Sequence, residues 1–340
     1  MAYLPGHVEA MAAWIHEVEE ILVVDSESSD GTVEYLRENL KHPNVRILSH
    51  PPGLYQSWNF GISQVSSKYT YISTTGDTIT LAGLKHLLEV AENLRADVVI
   101  SPPEFRFSDG VESSAPIWPI HEMIRVLNVT APLVVERPRL FCSAFIFAVG
   151  RGLSGITGSA ASDLFLTKSL QARPFPCDCG TVGDTFWGLH HSVDLTFAIT
   201  PEKHSTFLFH PKHYNPNAFE YNLRLIDRAI TEGKALFYDR MQPGLADQED
   251  RWELLVFDLF DAIDLKLRCT VELDVLRDKN KLWVLNPLAW RMRYARNFYR
   301  RQIKKITSVI LSQVPYDRSW LDQIHYHRLA DLVGTKPTSR

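Results

Sequence analysis

Two short apolar runs, each stopping on or just before a carboxylate, constrain this chain more than any other feature. The first is Ile21-Leu22-Val23-Val24-Asp25, continued by Ser26-Glu27-Ser28-Ser29-Asp30-Gly31-Thr32; the second is Tyr71-Ile72-Ser73, continued by Thr74-Thr75-Gly76-Asp77-Thr78. A run of β-branched and aliphatic residues without polar alternation is expected of a strand buried on both faces. In an open parallel α/β sheet, ligands bind in the crevice outside the carboxyl ends of the strands. Two carboxylates delivered to one such edge make a seat for a nucleotide and its metal.

The residues around these runs alternate between two periods. Val8, Met11, Ala12, Ile15 and Val18 recur at helical spacing, predicting a helix over 7–20 ahead of the first strand. Ser28, Ser29 and Asp30 offer N-cap oxygens for a helix over 32–40. A strand over 45–48, a helix over 54–65, a strand over 69–73, a helix over 81–94 and a strand over 98–100 follow. Such alternation predicts βαβ units and an α/β fold, a mostly parallel sheet with helices on both faces. Farther on, Leu140 to Val149 reads as a central strand, and Gly150 to Ser162 as a loop. Helices are expected over 163–171 and 185–191, and short strands over 197–200 and 206–209. Beyond Pro216 the period is helical throughout, over 219–234, 251–276 and 288–313, the last opened by Asn286 and Pro287 as cap and first-turn proline. The expected division is an α/β domain over 1–214 and a helical C-terminal region over 215–340.

Composition excludes several classes. With 45% hydrophobic and 22% charged residues the chain is an ordinary globular protein. A net charge of −4 provides no global basic field, so nucleic acid is not an expected partner. Cys142, Cys177, Cys179 and Cys269 are too few for a disulfide framework and lack zinc-knuckle spacing, which fits thiols in a reducing compartment. Met1 to His16 shows no basic start followed by an apolar core, and no apolar run approaches the ~20 residues that span a bilayer. The expected location is cytoplasmic. In residues 288–313, Arg293, Arg296, Arg300 and Lys304 share one face, and Met292, Phe298, Tyr299 and Ile303 lie largely on the other. Such a helix either rests on the inner face of an anionic membrane or packs its aromatic side on the rest of the protein.

Four residues stand where chemistry is possible, and each has a structural alternative. Asp25, at a strand end before a helix start, can accept from a ligand hydroxyl or N–H, or cap its own turn. Asp77, among hydroxyls, can hold one hard cation whose other ligands are phosphate and water, or cap the helix that follows. Asp184, a lone acid in Gly180-Thr181-Val182-Gly183-Asp184-Thr185-Phe186-Trp187, suits general-base work or an N-cap. His210 ends the apolar run Phe207-Leu208-Phe209 and serves either as a metal ligand or as a structural histidine.

In their order and spacing these segments resemble glycosyltransferase family 2, whose enzymes have the GT-A fold. Val23 to Thr32 is similar to the family's nucleotide-binding signature, Asn59-Phe60-Gly61 to its Asn-x-Gly helix start, and Tyr71 to Thr78 stands at its metal-binding acid cluster. Gly183-Asp184 is similar to the site of the family's base, and His210 to a later histidine. The resemblance covers about residues 15 to 213. It implies inverting transfer of a sugar from a nucleotide-sugar donor to a glycan or lipid-linked acceptor, as in cell-surface polysaccharide or glycan synthesis. Asp25, Ser28, Asp30, Asn59 and Gly76 would then contact the donor, Asp77 and His210 the Mg²⁺ or Mn²⁺, and Asp184 would be the base. The departures are Ser26, Thr74, Gly76 and Gly183 at positions where the family often has acids. The chain also begins near the helix that follows the family's usual opening strand. The alternative these departures carry is a catalytically inactive sugar- or nucleotide-binding relative of the same fold.

Overall fold

The computed structural model describes residues 2–107, 110–113, 118–150, 153–157, 160–209, 218–241, 249–279, 284 and 286–312. The first strand, β1 (Ile21–Asp25), pairs in parallel with β2 (Val45–Ser49), Ile21 beside Val45 and Asp25 beside Ser49. Between them runs α2 (Thr32–Asn39), and after β2 comes α3 (Leu54–Ser63). Among the described residues β1 pairs with β2 alone, so its apolar residues are half-buried rather than enclosed on both faces as their sequence predicts.

A second, five-stranded sheet has the order β3-β9-β5-β10-β8. Its strands are β3 (Tyr69–Tyr71), β5 (Val98–Ile100), β8 (Leu133–Val134), β9 (Asp163–Leu166) and β10 (Phe197–Ile199). Only β5 and β10 are parallel there; β9 lies antiparallel between β3 and β5. A third sheet has the order β4-β11-β6-β7, from β4 (Thr78–Ile79), β6 (Glu104–Phe107), β7 (Glu112–Ser113) and β11 (Ser205–Phe209). The α/β class holds, while the pairing is mixed rather than mostly parallel. The cause is β9: its four residues run straight into α7 (Thr167–Ala172), and helical periodicity over 163–171 hides so short a strand.

The segment Leu140 to Val149 is not a central strand. It lies inside α6 (Arg137–Gly150), and all ten of its residues, Ser143 included, are buried. An unbroken apolar run has no period to distinguish a buried strand from a helix enclosed all round, and its length exceeds the usual strand. The predicted helix over 7–20 is also shorter, with α1 ending at Met11 (Leu4–Met11) and turns following. These turns still reach the core, since Trp14 is buried and donates its indole N–H to the Ile79 carbonyl at 3.1 Å.

The remaining helices of the α/β part are α4 (Leu81–Leu94), α5 (Pro119–Leu127) and α8 (Gly183–His191). One core cluster gathers Leu4, Val8 and Trp14 with Leu36, Leu87, Val90 and Val99. By its contacts the chain divides into Met1–Ile226 and Asp227–Arg340, a division that falls inside α9 (Ala218–Leu236). In the second unit α10 (Glu249–Lys279) packs on α11 (Pro287–Ser312) around Leu265, Cys269, Leu273, Met292 and Tyr299. Asn286 caps α11 as its sequence predicts, accepting from the Leu288 N–H at 2.9 Å. Among the described residues no helix is long and apolar enough to cross a membrane.

Candidate active site

Helix α3 binds the separate site segments to one another. Its Gly61 lies against β1, where an added Cβ would come within 3.0 Å of Val24. One turn earlier, the Ser57 hydroxyl pairs with Ser26 at 2.9 Å, just past the carboxyl end of β1. Asn59 grips a distant loop in both directions: its amide donates to the Phe175 carbonyl at 2.8 Å and its oxygen accepts from the Phe175 N–H at 2.9 Å. Tyr55 is 1% exposed and donates its hydroxyl to the Thr181 carbonyl at 3.0 Å. The Asn-x-Gly pattern is thus used for packing and for loop placement, so Asn59 positions the loop between α7 and α8 rather than presenting a free amide.

That loop delivers Asp184 into the first turn of α8. The carboxylate accepts from the N–H of Thr185 at 2.7 Å and lies within hydrogen-bonding reach of Tyr55. Although Asp184 retains some exposed surface, dense packing about its carboxyl pushes the pKa up to about 6, while the Thr185 N–H and Tyr55 hydroxyl pull the other way. Burial in turn pushes the Tyr55 phenol up, aided by the Asp184 charge. A carboxylate titrating near 6 is ionised at neutral pH yet basic enough to take a proton from a hydroxyl as it attacks.

Asp25 ends β1, is 6% exposed, and accepts from the Ser28 N–H at 2.9 Å. Ser28 and Asp30 are exposed on the loop, and Asp30 accepts from the Thr32 hydroxyl at 2.6 Å at the start of α2. The turn carries two left-handed residues, Glu27 and Gly31, which fold it back from the strand end.

Asp77 is almost wholly buried at 2% exposure. Its carboxylate accepts from the Leu208 N–H at 2.9 Å and from the Thr74 hydroxyl, and its carbonyl accepts from His7 Nδ1 at 2.8 Å. Burial pushes its pKa up to about 6, opposed by Thr74, Leu208 and the Arg106 charge. Gly76 precedes it at φ +105°, where an added Cβ would meet Leu208 at 2.4 Å, so glycine there is a requirement of the turn. Arg106 donates to the Gly76 carbonyl at 3.1 Å. His210, expected as a metal ligand, lies outside the described residues.

Asp163, which sequence reading placed inside a helix, opens β9 and is fully buried. Its Oδ2 has no hydrogen-bond partner, and burial holds its pKa well above the usual range, reinforced by the Asp184 charge. Tyr71 lies within electrostatic reach of both Asp77 and Asp163. Asp163 thus interacts electrostatically with Asp184, and Tyr71 with both Asp77 and Asp163, while α3 ties the carboxyl end of β1 to the loop before α8. Only the register of β9 would have revealed Asp163.

Among the described residues, no three His, Cys, Asp or Glu side chains are grouped to hold a metal ion. Asp77 offers one carboxylate, the least that Mg²⁺ accepts when phosphate oxygens and water supply the rest.

Residues 2–157 match the family described as Glycosyl transferase family 2. A sequence comparison with curated proteins finds no match. Among solved structures, S. aureus TarS 1–349 in complex with UDP-GlcNAc aligns with a TM-score of 0.51 at 14% identity, over 93% of this chain and 90% of that one. The same TarS fragment in complex with UDP gives 0.50 at 14% identity, over 94% and 91%. A further S. aureus TarS structure gives 0.50 at 13% identity over 92% of this chain and 52% of that one.

Proposed function

We propose that this chain, whose residues 2–157 match the family described as Glycosyl transferase family 2, moves a sugar from a nucleotide-sugar donor to an acceptor hydroxyl with inversion, Asp184 acting as general base. The α/β fold with a helical C-terminal region, similar to that of the TarS structures, supports reading the chain as a glycosyltransferase. The observation that carries the mechanism is Asp184 itself: a carboxyl that accepts from the Thr185 N–H, brought to about 6 by burial, with the buried Asp163 in electrostatic reach. The acceptor hydroxyl gives its proton to Asp184 as its oxygen bonds to the anomeric carbon. The bond from that carbon to the diphosphate oxygen breaks on the opposite face, and its electron pair leaves with the nucleoside diphosphate. Attack opposite the leaving group inverts the centre.

Asp25, at the end of β1 and ahead of α2, would hold the nucleoside, with Ser28 and Asp30 on the adjoining loop. Asp77 would hold Mg²⁺ or Mn²⁺, which neutralises charge on the departing diphosphate. The TarS complexes with UDP and UDP-GlcNAc support testing a uridine nucleotide first. An acceptor that is a glycan or a lipid-linked sugar, reached from the cytoplasmic face of a membrane, completes the reading.

The test is a thermal-shift and product-release panel of UDP-, GDP- and dTDP-sugars, with and without Mn²⁺. A ligand that binds only the native state raises apparent stability. Asp184→Asn should keep the donor-induced shift and lose roughly 10²–10⁴-fold in nucleoside diphosphate release. Asp77→Ala should lose the Mn²⁺-dependent part of the shift. An Asp184→Asn protein that turns over like the wild type overturns the assignment of the base.

A further inference from the structure

The apolar side of α11 identified in the sequence, Met292, Phe298, Tyr299 and Ile303, is buried on α10 and is closed to any other partner. Directly opposite that seam lies a second stripe. Trp290, Tyr294, Asn297, Arg301 and Lys304 follow at intervals of four, three, four and three residues, which keeps them on one ridge of the helix. Trp290 is 63% exposed and Tyr294 47% exposed, the two largest exposures among the described big apolar side chains of α11. Every charged residue between Pro287 and Ser312 is an arginine or a lysine.

Among the described residues, Arg296, Arg300, Arg301 and Lys304 form no ion pair. On the facing helix Lys266 is partly buried, and its pKa is pushed down by burial and then by the charges of Arg300 and Arg296. Like charges are crowded beside the ridge, along the contact of α10 with α11, in a chain whose net charge is −4. A partner carrying spread negative charge would relieve that repulsion.

We infer that the Trp290–Lys304 ridge of α11 is a docking surface for an anionic phospholipid bilayer. Basic side chains near an anionic membrane are drawn to its negative surface potential, and tryptophan and tyrosine settle at headgroup level. A soluble polyanion would engage the cations and leave the two rings in water, whereas a bilayer takes both. The helix lies on the surface rather than through it, because its opposite face is committed to α10. The inference extends the proposed function by placing the transferase at a membrane where a lipid-linked acceptor resides.

The experiment is sedimentation of the full chain with vesicles of phosphatidylcholine alone or of equal parts phosphatidylcholine and phosphatidylglycerol. The wild type should sediment only with the anionic vesicles, and less so in high salt. Arg301→Glu combined with Lys304→Glu should weaken binding about tenfold or more, and Trp290→Ala with Tyr294→Ala about tenfold. Circular dichroism should be unchanged in both, since the altered residues sit outside the seam. Three results overturn the inference: no binding to anionic vesicles, equal binding to both kinds, or binding that both double variants leave intact. Self-association lost in the ridge variants, without vesicle binding, would assign the ridge to a second copy of the chain and also overturn it. The assay contains no sugar, so its failure is separate from a failure of the transferase reading.

Discussion

A Cβ at residue 183 would meet the Pro176 carbonyl at 2.5 Å and the Tyr55 ring at 2.7 Å. Glycine stands there, where glycosyltransferase family 2 often has an acid, because Tyr55 occupies the space beside it. Gly183→Ala should therefore destabilise the fold by about 1–3 kcal/mol, measured by denaturant unfolding. Tyr55→Phe removes a hydroxyl that lies within hydrogen-bonding reach of the ionised Asp184. The pKa of Asp184 should rise, because the nearby hydroxyl holds it down. The acid limb of the pH–rate profile would move to higher pH by the same amount; an unmoved limb would show that Tyr55 only packs. Asp25, Asp77 and Asp184 were legible as residues because each follows an apolar run or a small-residue turn. Asp163 was not, because nothing local marks a buried acid whose neighbours are brought by other strands.

Helix α3 is the element on which the site depends, through Tyr55, Ser57, Asn59 and Gly61. Asn59→Ala would leave the Phe175 N–H and carbonyl without their partners, a loss of about 1–3 kcal/mol. The expected result is a lower melting temperature together with poorer turnover; unchanged turnover in a destabilised protein would confine Asn59 to stability. Helices α3, α4 and α11 were readable from periodicity because one face of each meets solvent. Helix α6 was not, since a helix enclosed all round carries no such contrast. Phe145, fully buried within α6, should cost about 3–5 kcal/mol when replaced by alanine.

At the scale of the whole molecule, three buried acids make stability depend on pH. Asp77 and Asp184 titrate near 6 in the folded chain, and Asp163 higher still, all above their unfolded values. At these three sites the folded state holds more protons than the unfolded one across roughly pH 4 to 6, while His7, His121, His191 and His204, whose pKa values burial lowers, act in the opposite sense. The carboxyls' own contribution to stability is greatest below their unfolded pKa values and falls as pH rises through the folded ones, by up to about 3 kcal/mol for each group near 6. The contribution of one carboxyl is isolated by comparing variants: the melting temperature of ligand-free Asp184→Asn, taken relative to the wild type, should be higher at pH 8 than at pH 5. A difference between the two proteins that is the same at both pH values would contradict the burial of this carboxyl. The sequence by itself determined the α/β alternation, the helical C-terminal region and the positions of Asp25, Asp77 and Asp184, because these rest on local period and local turn chemistry. Only the tertiary structure decided the antiparallel insertion of β9, the helical state of Leu140 to Val149, the role of Asn59 and the side of α11 left to solvent. Each of those depends on which distant segment supplies hydrogen-bond partners or covers an apolar face, and no short window of sequence contains that information.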